Sequence, residues 1–264
     1  MNVNVKSPTE LQTMREAGRI VARALEAMRE AIKPGVSTWE LDQIAARVLE
    51  QHQARPAFLG YPPGSKHPFP ATITACINSE LVHGIPSKAR ILQEGDIVSL
   101  DTGCHYRGFV GDAAFTAGVG RISDEAQKLI DVTEGALDVG IGAAKAGAGT
   151  RDISQSIQQY VESHGYSVIR EYTGHGVGQK MHEAPTIFNW WPQKMTRRLR
   201  RQFQDVPLRQ GMTLALEPMV SQGSPATQEL DDHWTVVMAD GSLSAHCEHT
   251  IAVVENEPLI LTVL

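Results

Sequence analysis

Twenty residues near the start of this chain return, altered but recognisable, 112 positions later. Aligning KPGVSTWELDQIAARVLEQH (33–52) with KAGAGTRDISQSIQQYVESH (145–164) leaves six identities: Lys33/Lys145, Gly35/Gly147, Thr38/Thr150, Gln43/Gln155, Glu50/Glu162 and His52/His164. Two copies are too few for a solenoid, so two related halves must bury their apolar faces in one shared body. No low-complexity linker separates them. The expectation is a single domain over residues 1–264, with an internal pseudo-repeat of roughly 7–115 and 120–255.

Each half reads as helices followed by strands. Ser7-Pro8-Thr9-Glu10 has the form of a capping box with proline at the first helical position. Leu11, Met14, Val21, Leu25, Met28 and Ile32 then fall at helical spacing, and Gly18 on the same stripe marks close packing. Lys33-Pro34-Gly35 ends that helix, and Ser37-Thr38-Trp39-Glu40 starts a second, with Leu41, Ile44 and Val48 on one face. Further helices begin near Ser123 and around Thr150. The segments DIVSLD and GDAAFT flank the glycine-containing turn TGCHYRGFV, and MTLALEP and HCEHTIAVV supply later strands. The fold class is therefore α+β, with hairpin-like antiparallel pairing. A nucleotide-binding fold has little support: GVGQK is no P-loop, and no G-x-G-x-x-G leads a strand into a helix.

With 264 residues the chain can bury a substantial core, and its formal charge of −6 gives no general reason to bind nucleic acid. No apolar run suits a signal peptide or a membrane span. Cys76, Cys104 and Cys247 contain no C-x-x-C pair, which argues against a disulfide framework or a cysteine zinc module. The cytoplasm is the expected setting.

The chemistry is concentrated in acidic residues at the ends of apolar strands. Asp101 follows Ile97-Val98-Ser99-Leu100, and Asp112 precedes Ala113-Ala114-Phe115. A hairpin turning about Tyr106-Arg107 makes them cross-strand neighbours on one face. Like charges so placed need a proton or a cation between them; spacing alone leaves open two ordinary strand-end aspartates. Glu217 closes the apolar run 212–216, and Glu248 sits within Ala245-His246-Cys247-Glu248-His249. Buried glutamates need partners. Four carboxylates with a histidine could neutralise two divalent ions, whereas each alone could be an edge or loop carboxylate. His175 and His182 lie in the glycine-rich stretch TGHGVGQKMHEAP, and His83 lies in NSELVHGIP. Each is a site residue or a turn cap on local pattern alone.

Taken together and in order, HGIP, DTG…GD, TGHGVG…HEAP, LALEPM and CEHTIAV resemble the type I methionine aminopeptidases, from Ser7 to about Glu257. The resemblance implies the pita-bread fold: two pseudo-symmetric halves with antiparallel sheet around a binuclear metal cleft. It implies Asp101, Asp112, His175, Glu217 and Glu248 as metal ligands, with Asp112 and Glu248 bridging. His83, His182 and Glu217 take the catalytic positions. Two divalent ions, cobalt, manganese, iron or zinc, would lie about 3.5–4 Å apart around an activated water. The substrates implied are nascent polypeptides and short Met-initiated peptides, with a small second residue preferred.

The same resemblance places Phe58, Tyr61, Phe69, Thr74 and Trp234 around the methionine side chain. Several could equally be core aromatics. Tyr61 to Phe69 spans YPPGSKHPF, whose prolines and glycine mark a loop at a pocket rim. Phe58 and Thr74 stand where the common bacterial pattern has cysteine, and Met181 where it has phenylalanine. Proline-specific relatives of the same fold commonly carry an extra N-terminal domain, for which a chain with its first helix near Ser7 has no room. A binding-only relative would lack ligands that this chain keeps. A monomer is expected.

Between the His182 and Glu217 motifs the chain is longer than the family's usual spacing. Lys194, Arg197, Arg198, Arg200, Arg201 and Arg209 face only Asp205 in the segment 194–209. A helix over Thr196–Gln204 would set Leu199 and Phe203 on one face with arginines outward. Such a segment is either a solvated basic surface or a site for ribosome docking through RNA phosphates.

Overall fold

The structure, a computed structural model, describes residues 3–264. Helix α1 (Pro8–Ala31) opens on the expected reciprocal cap: Ser7 Oγ accepts from the Glu10 amide, and Glu10 accepts from the Ser7 amide at 2.7 Å. Helix α2 (Thr38–Gln51) repeats the device with Ser37 and Glu40. Helices α3 (Asp124–Ala143) and α4 (Thr150–Ser163) form the second pair. Ser123 caps α3 through its hydroxyl, but α4 begins after Gly149, which has no side chain to offer. Asp205, from the basic segment, fills the role by accepting from the Arg151 amide at 3.1 Å.

Nine strands carry the rest of the argument: β1 (Ile73–Ile77), β2 (Ile97–Tyr106), β3 (Phe109–Gly118), β4 (Thr173–Gly176), β5 (Glu183–Phe188), β6 (Thr213–Leu216), β7 (Met219–Ser221), β8 (Ser244–His246) and β9 (Glu248–Ala252). The main sheet runs Arg55–Pro56, β2, β3, β9, β6, β4, β5, with β1 also on β2, and Leu259–Ile260 also on β9. Every pairing in it is antiparallel.

Alternation along the strands divides the molecule into layers. Val98 and Leu100 of β2, with Ala113 and Phe115 of β3, join a core with Val21, Leu25 and Met28 of α1 and Leu41, Ala45 and Leu49 of α2. Leu214, Leu216, Ile251 and Val253 join a second core with Leu129, Ile130 and Leu137 of α3 and Ile153, Ile157 and Val161 of α4. Each helical pair thus covers its own part of the sheet. The opposite parity, carrying Asp101, Asp112, Glu217 and Glu248, is left to face a cleft.

Two sequence expectations need correction. TGCHYRGFV is not a turn: both strands run through it, and the turn is only Arg107-Gly108. Both residues have positive φ, +47° and +84°, as a two-residue primed hairpin turn requires. The aspartates are accordingly diagonal rather than directly opposed, since Asp101 faces Ala114 and Asp112 faces Gly103. Gly18 performs as expected. A β-carbon there would lie 2.3 Å from the Leu261 carbonyl oxygen, and one at Gly111 would lie 2.7 Å from the Gly18 nitrogen. The helix backbone therefore rests directly on the strand beside Asp112.

In the basic segment the helix is a single turn, Leu199–Gln202, rather than Thr196–Gln204. It is held from below instead: Phe203 is buried and stacks on Phe188 at 4.1 Å, with Trp190 and Trp191 edge-on to it and Leu199 packed alongside. One turn suffices because aromatic packing, not a helical stripe, fixes the segment.

Candidate active site

All the sequence-nominated residues line one cavity of about 440 Å³: Asp101, Asp112, His175, Glu217 and Glu248, then His83 and His182, then Phe58, Tyr61, Phe69, Thr74 and Trp234. The two helical halves contribute to it from both sides. Asp101 and Asp112 come from the β2–β3 hairpin, while His175, Glu217 and Glu248 come from β4, the end of β6 and the start of β9. Thr250 ties the sides together: its hydroxyl accepts from the Asp112 amide at 3.1 Å and donates to the Asp112 carbonyl at 2.7 Å.

The tightest group is Asp112, His175 and Glu248, whose ligand atoms lie within 4.8 Å of one another. Glu217 Oε1 stands 3.4 Å from His175 Nε2, and Asp112 Oδ2 stands 3.8 Å from it. The tautomer of His175 is decided by its other nitrogen, which lies 2.9 Å from the Gly176 carbonyl. A carbonyl only accepts, so Nδ1 carries the proton and Nε2 presents a lone pair to two carboxylates. Acceptors facing acceptors are unfavourable unless positive charge stands among them.

The electrostatics say the same. Burial raises the pKa of every carboxylate in the group. Asp112 is pushed up to about 7. Repulsion by Asp112 raises Asp101 further, and Asp112 and Asp101 both raise Glu217. Glu248 is raised by burial and then by Asp112, Glu217 and Asp101. No lysine or arginine lines the cavity among the described residues. The histidines do not supply the charge either: burial, with His182 adding, lowers His83 and His175 to about 4, and burial lowers His182 as well. Asp101 Oδ1, Asp112 Oδ1 and Glu248 Oε1 are fully buried and accept no hydrogen bond from any described residue. Oxygen-rich ligation with one imidazole suits divalent cations of intermediate hardness, so these residues fit metal ions and little else.

The pocket beside this group is aromatic. Phe69, 3% exposed, meets Phe58 edge-on at 6.4 Å and Trp234 edge-on at 5.1 Å. The loop from Tyr61 to Phe69 is closed at its neck by the Phe69 amide donating to the Tyr61 carbonyl at 2.8 Å. Trp234 Nε1 pins its far side by donating to the His67 carbonyl at 3.1 Å. His83 adopts a left-handed backbone, φ +61°, held between Tyr172 and Trp234, both edge-on to its ring. His182 follows Met181, which also lines the cavity. The next residue, Glu183, is anchored by Lys6 Nζ at 2.8 Å, Asn4 Nδ2 at 3.1 Å and the amides of Gln179 and Lys180.

Sequence reasoning passed over His246. Its Nε2 is buried without a hydrogen-bond partner, 3.8 Å from Glu217 Oε2, and burial lowers the ring to about 3. The signal was parity: His246 stands two positions before Glu248 in an extended segment, so both side chains reach the same face. Glu171, Tyr172 and Met219 also line the cavity and carried no such sign.

Comparison with known proteins places this geometry. Residues 12–255 match the model of metallopeptidase family M24. A methionine aminopeptidase 1 of Bacillus subtilis is 48% identical over 257 residues, covering 97% of this chain and 98% of that protein. A methionine aminopeptidase of Clostridium acetobutylicum is 46% identical over 258 residues, covering 98% of both. The crystal structure of a methionine aminopeptidase from Thermotoga maritima superposes with a TM-score of 0.92 at 40% identity, covering 100% of both chains.

Proposed function

We propose a division of labour among the cleft residues that proceeds from one premise: the chain belongs to the type I methionine aminopeptidases of metallopeptidase family M24. It is a metalloaminopeptidase that removes N-terminal methionine. The observation that carries the division is the set of buried, unpartnered carboxylate oxygens around a lone-pair-bearing His175.

Asp101, Asp112, His175, Glu217 and Glu248 would hold two divalent ions. Bound there, such ions supply a water of lowered pKa and a polarised carbonyl. Glu217 takes the proton of the attacking water and delivers it to the leaving amine. His182 donates to the carbonyl oxygen as negative charge develops on it, and His83 binds the scissile nitrogen. Phe58, Tyr61, Phe69, Thr74 and Trp234 enclose the methionine side chain, and a small second residue is preferred. Metal analysis beside hydrolysis of Met-Gly-Met and Gly-Pro tests the whole reading. Asp112→Ala and Glu248→Ala lose metal together with rate, while His182→Ala keeps metal and loses turnover. Equal metal loss in all three defeats the division.

The working form is a monomeric single domain over residues 1–264, acting in the cytoplasm on nascent chains. Its pseudo-repeat of roughly 7–115 and 120–255 is supported by matching backbone contacts in the two halves. Gly35 and Gly147 donate to the Leu92 and Leu208 carbonyls, and Leu92 and Leu208 donate back to Val36 and Ala148.

The segment 194–209 docks the enzyme on the ribosome. Lys194, Arg197, Arg198, Arg200, Arg201 and Arg209 are all exposed, and none pairs with a carboxylate among the described residues. Their aromatic base supports a rigid basic surface suited to RNA phosphates. Replacing Arg197, Arg198, Arg200 and Arg201 by Ala weakens ribosome co-sedimentation at low salt and spares Met-Gly-Met cleavage. Unchanged co-sedimentation ends this reading.

A further inference from the structure

We propose that Tyr61, beyond enclosing the methionine side chain, is a positioning residue for His182: its phenol donates to Nδ1 and so keeps the ring proton on Nε2, the nitrogen left for the substrate. The proposal rests on the reading that His182 donates to the scissile carbonyl.

Tyr61 Oη lies 2.7 Å from His182 Nδ1, a well-formed hydrogen bond and the one that hydroxyl makes among the described residues. The partner, unlike a carbonyl, can donate or accept, so the direction must be argued. A phenol is a good donor and a weak acceptor, whereas the lone pair of a neutral imidazole is a strong acceptor. Were Nδ1 to donate instead, the phenol proton would have no partner among the described residues and would turn to solvent. Burial also raises the phenol pKa, which keeps that proton in place.

The arrangement is built rather than incidental. The Tyr61 amide donates to the Phe58 carbonyl at 2.9 Å, and its carbonyl accepts from Phe69 at 2.8 Å, so its backbone is held on both sides. The His182 ring lies between Tyr61, with centroids 5.4 Å apart, and His175, with centroids 4.3 Å apart. Two touching imidazoles are thereby set in opposite tautomers. His175 has its proton drawn away by a backbone carbonyl and offers a lone pair; His182 has its lone pair occupied by a phenol and offers a proton. Proton donation at the carbonyl oxygen is lost if the His182 proton moves to Nδ1, with no change in the position of any heavy atom.

The test pairs kinetics with a direct view of the proton. In the metal-loaded enzyme, Tyr61→Phe keeps the pocket ring and removes the donor. It lowers kcat for Met-Gly-Met about 10–100-fold, the usual scale for a group that orients another, while KM and metal content change little. In a His182→Ala background the same substitution costs nothing more. A normal kcat in Tyr61→Phe overturns the proposal, as does a cost that persists without His182. Nitrogen-15 NMR of the zinc-loaded enzyme gives the second readout: His182 carries its proton on Nε2 and His175 on Nδ1, and Tyr61→Phe mixes the His182 forms. A wild-type His182 protonated on Nδ1 overturns the proposal as well. If His182→Ala alone leaves kcat intact, it is the catalytic reading of His182 that fails, and the proton position still decides what Tyr61 does.

Discussion

The two helical halves differ most where they should be most alike. Helix α2 is capped by its own sequence, with Ser37 and Glu40 bonding each other's backbone groups. At the equivalent place α4 has Gly149, and a β-carbon there would lie 2.1 Å from Asp205 Oδ1. The α2 cap is local, whereas α4 borrows its cap from the basic segment that precedes Glu217. The isolated bridges repeat the pattern, Ser37 with Ile91 and Gly149 with Pro207, so the borrowed contact sits on an otherwise matching frame. The basic segment is thus part of the structure of the half that contains it.

The seam between the halves offers the strongest test of this comparison, because neither half completes the site alone. With Glu217 as the proposed proton carrier of the second half, Glu217→Gln lowers kcat roughly 10²–10⁴-fold. A tripeptide assay on the metal-loaded variant measures it, and a loss under tenfold assigns the proton to another group. The seam should also respond to pH. Carboxylates with raised folded pKa stabilise the fold fully below their unfolded pKa, and that stability drains away as pH rises through the folded value, about 7 for Asp112. Histidines with lowered pKa act in the opposite sense between their ordinary value of 6.5 and about 4. Above pH 6.5 only the carboxylate contribution remains, so the metal-free enzyme loses thermal stability with rising pH. Manganese, bound by the ionised groups, cancels or reverses the slope. Calorimetry with and without chelator checks this, and a flat metal-free profile above neutrality contradicts it.

Smaller effects probe the caps themselves. Ser37→Ala and Asp205→Ala should each cost about 1 kcal/mol in urea unfolding, one cap being native to its helix and the other borrowed. A neutral Asp205→Ala would mean that solvent serves α4 equally well. Smallest of all, Arg197→Ala, exposed and unpaired, should fall within about 0.5 kcal/mol of the parent.

Much of this was legible in the sequence because local chemistry determines it. Ser7 and Glu10, or Ser37 and Glu40, specify helix starts within four residues. The strand-end carboxylates announce a charge problem that a proton or a cation must resolve. Diagonal rather than direct placement of Asp101 and Asp112 was not legible, since it depends on a turn of two residues whose backbone must be left-handed. Neither was the cap from Asp205, which acts on an amide 54 positions away. Tyr61 read as a pocket wall because nothing near it in the sequence marks the imidazole, 121 positions on, that its hydroxyl meets.

Lys6 and Glu183 carry a consequence for how the molecule comes to be. They form a buried contact of 2.8 Å between groups 177 positions apart, next to His182. Closing so long a loop has to wait for most of the chain, whereas α1 and its capping box can form from the first few dozen residues. During synthesis the ammonium of Lys6 therefore stays hydrated until β5 emerges, and the neighbourhood of His182 takes shape among the later events. An enzyme that removes N-terminal methionine from other chains thus completes its own cleft late.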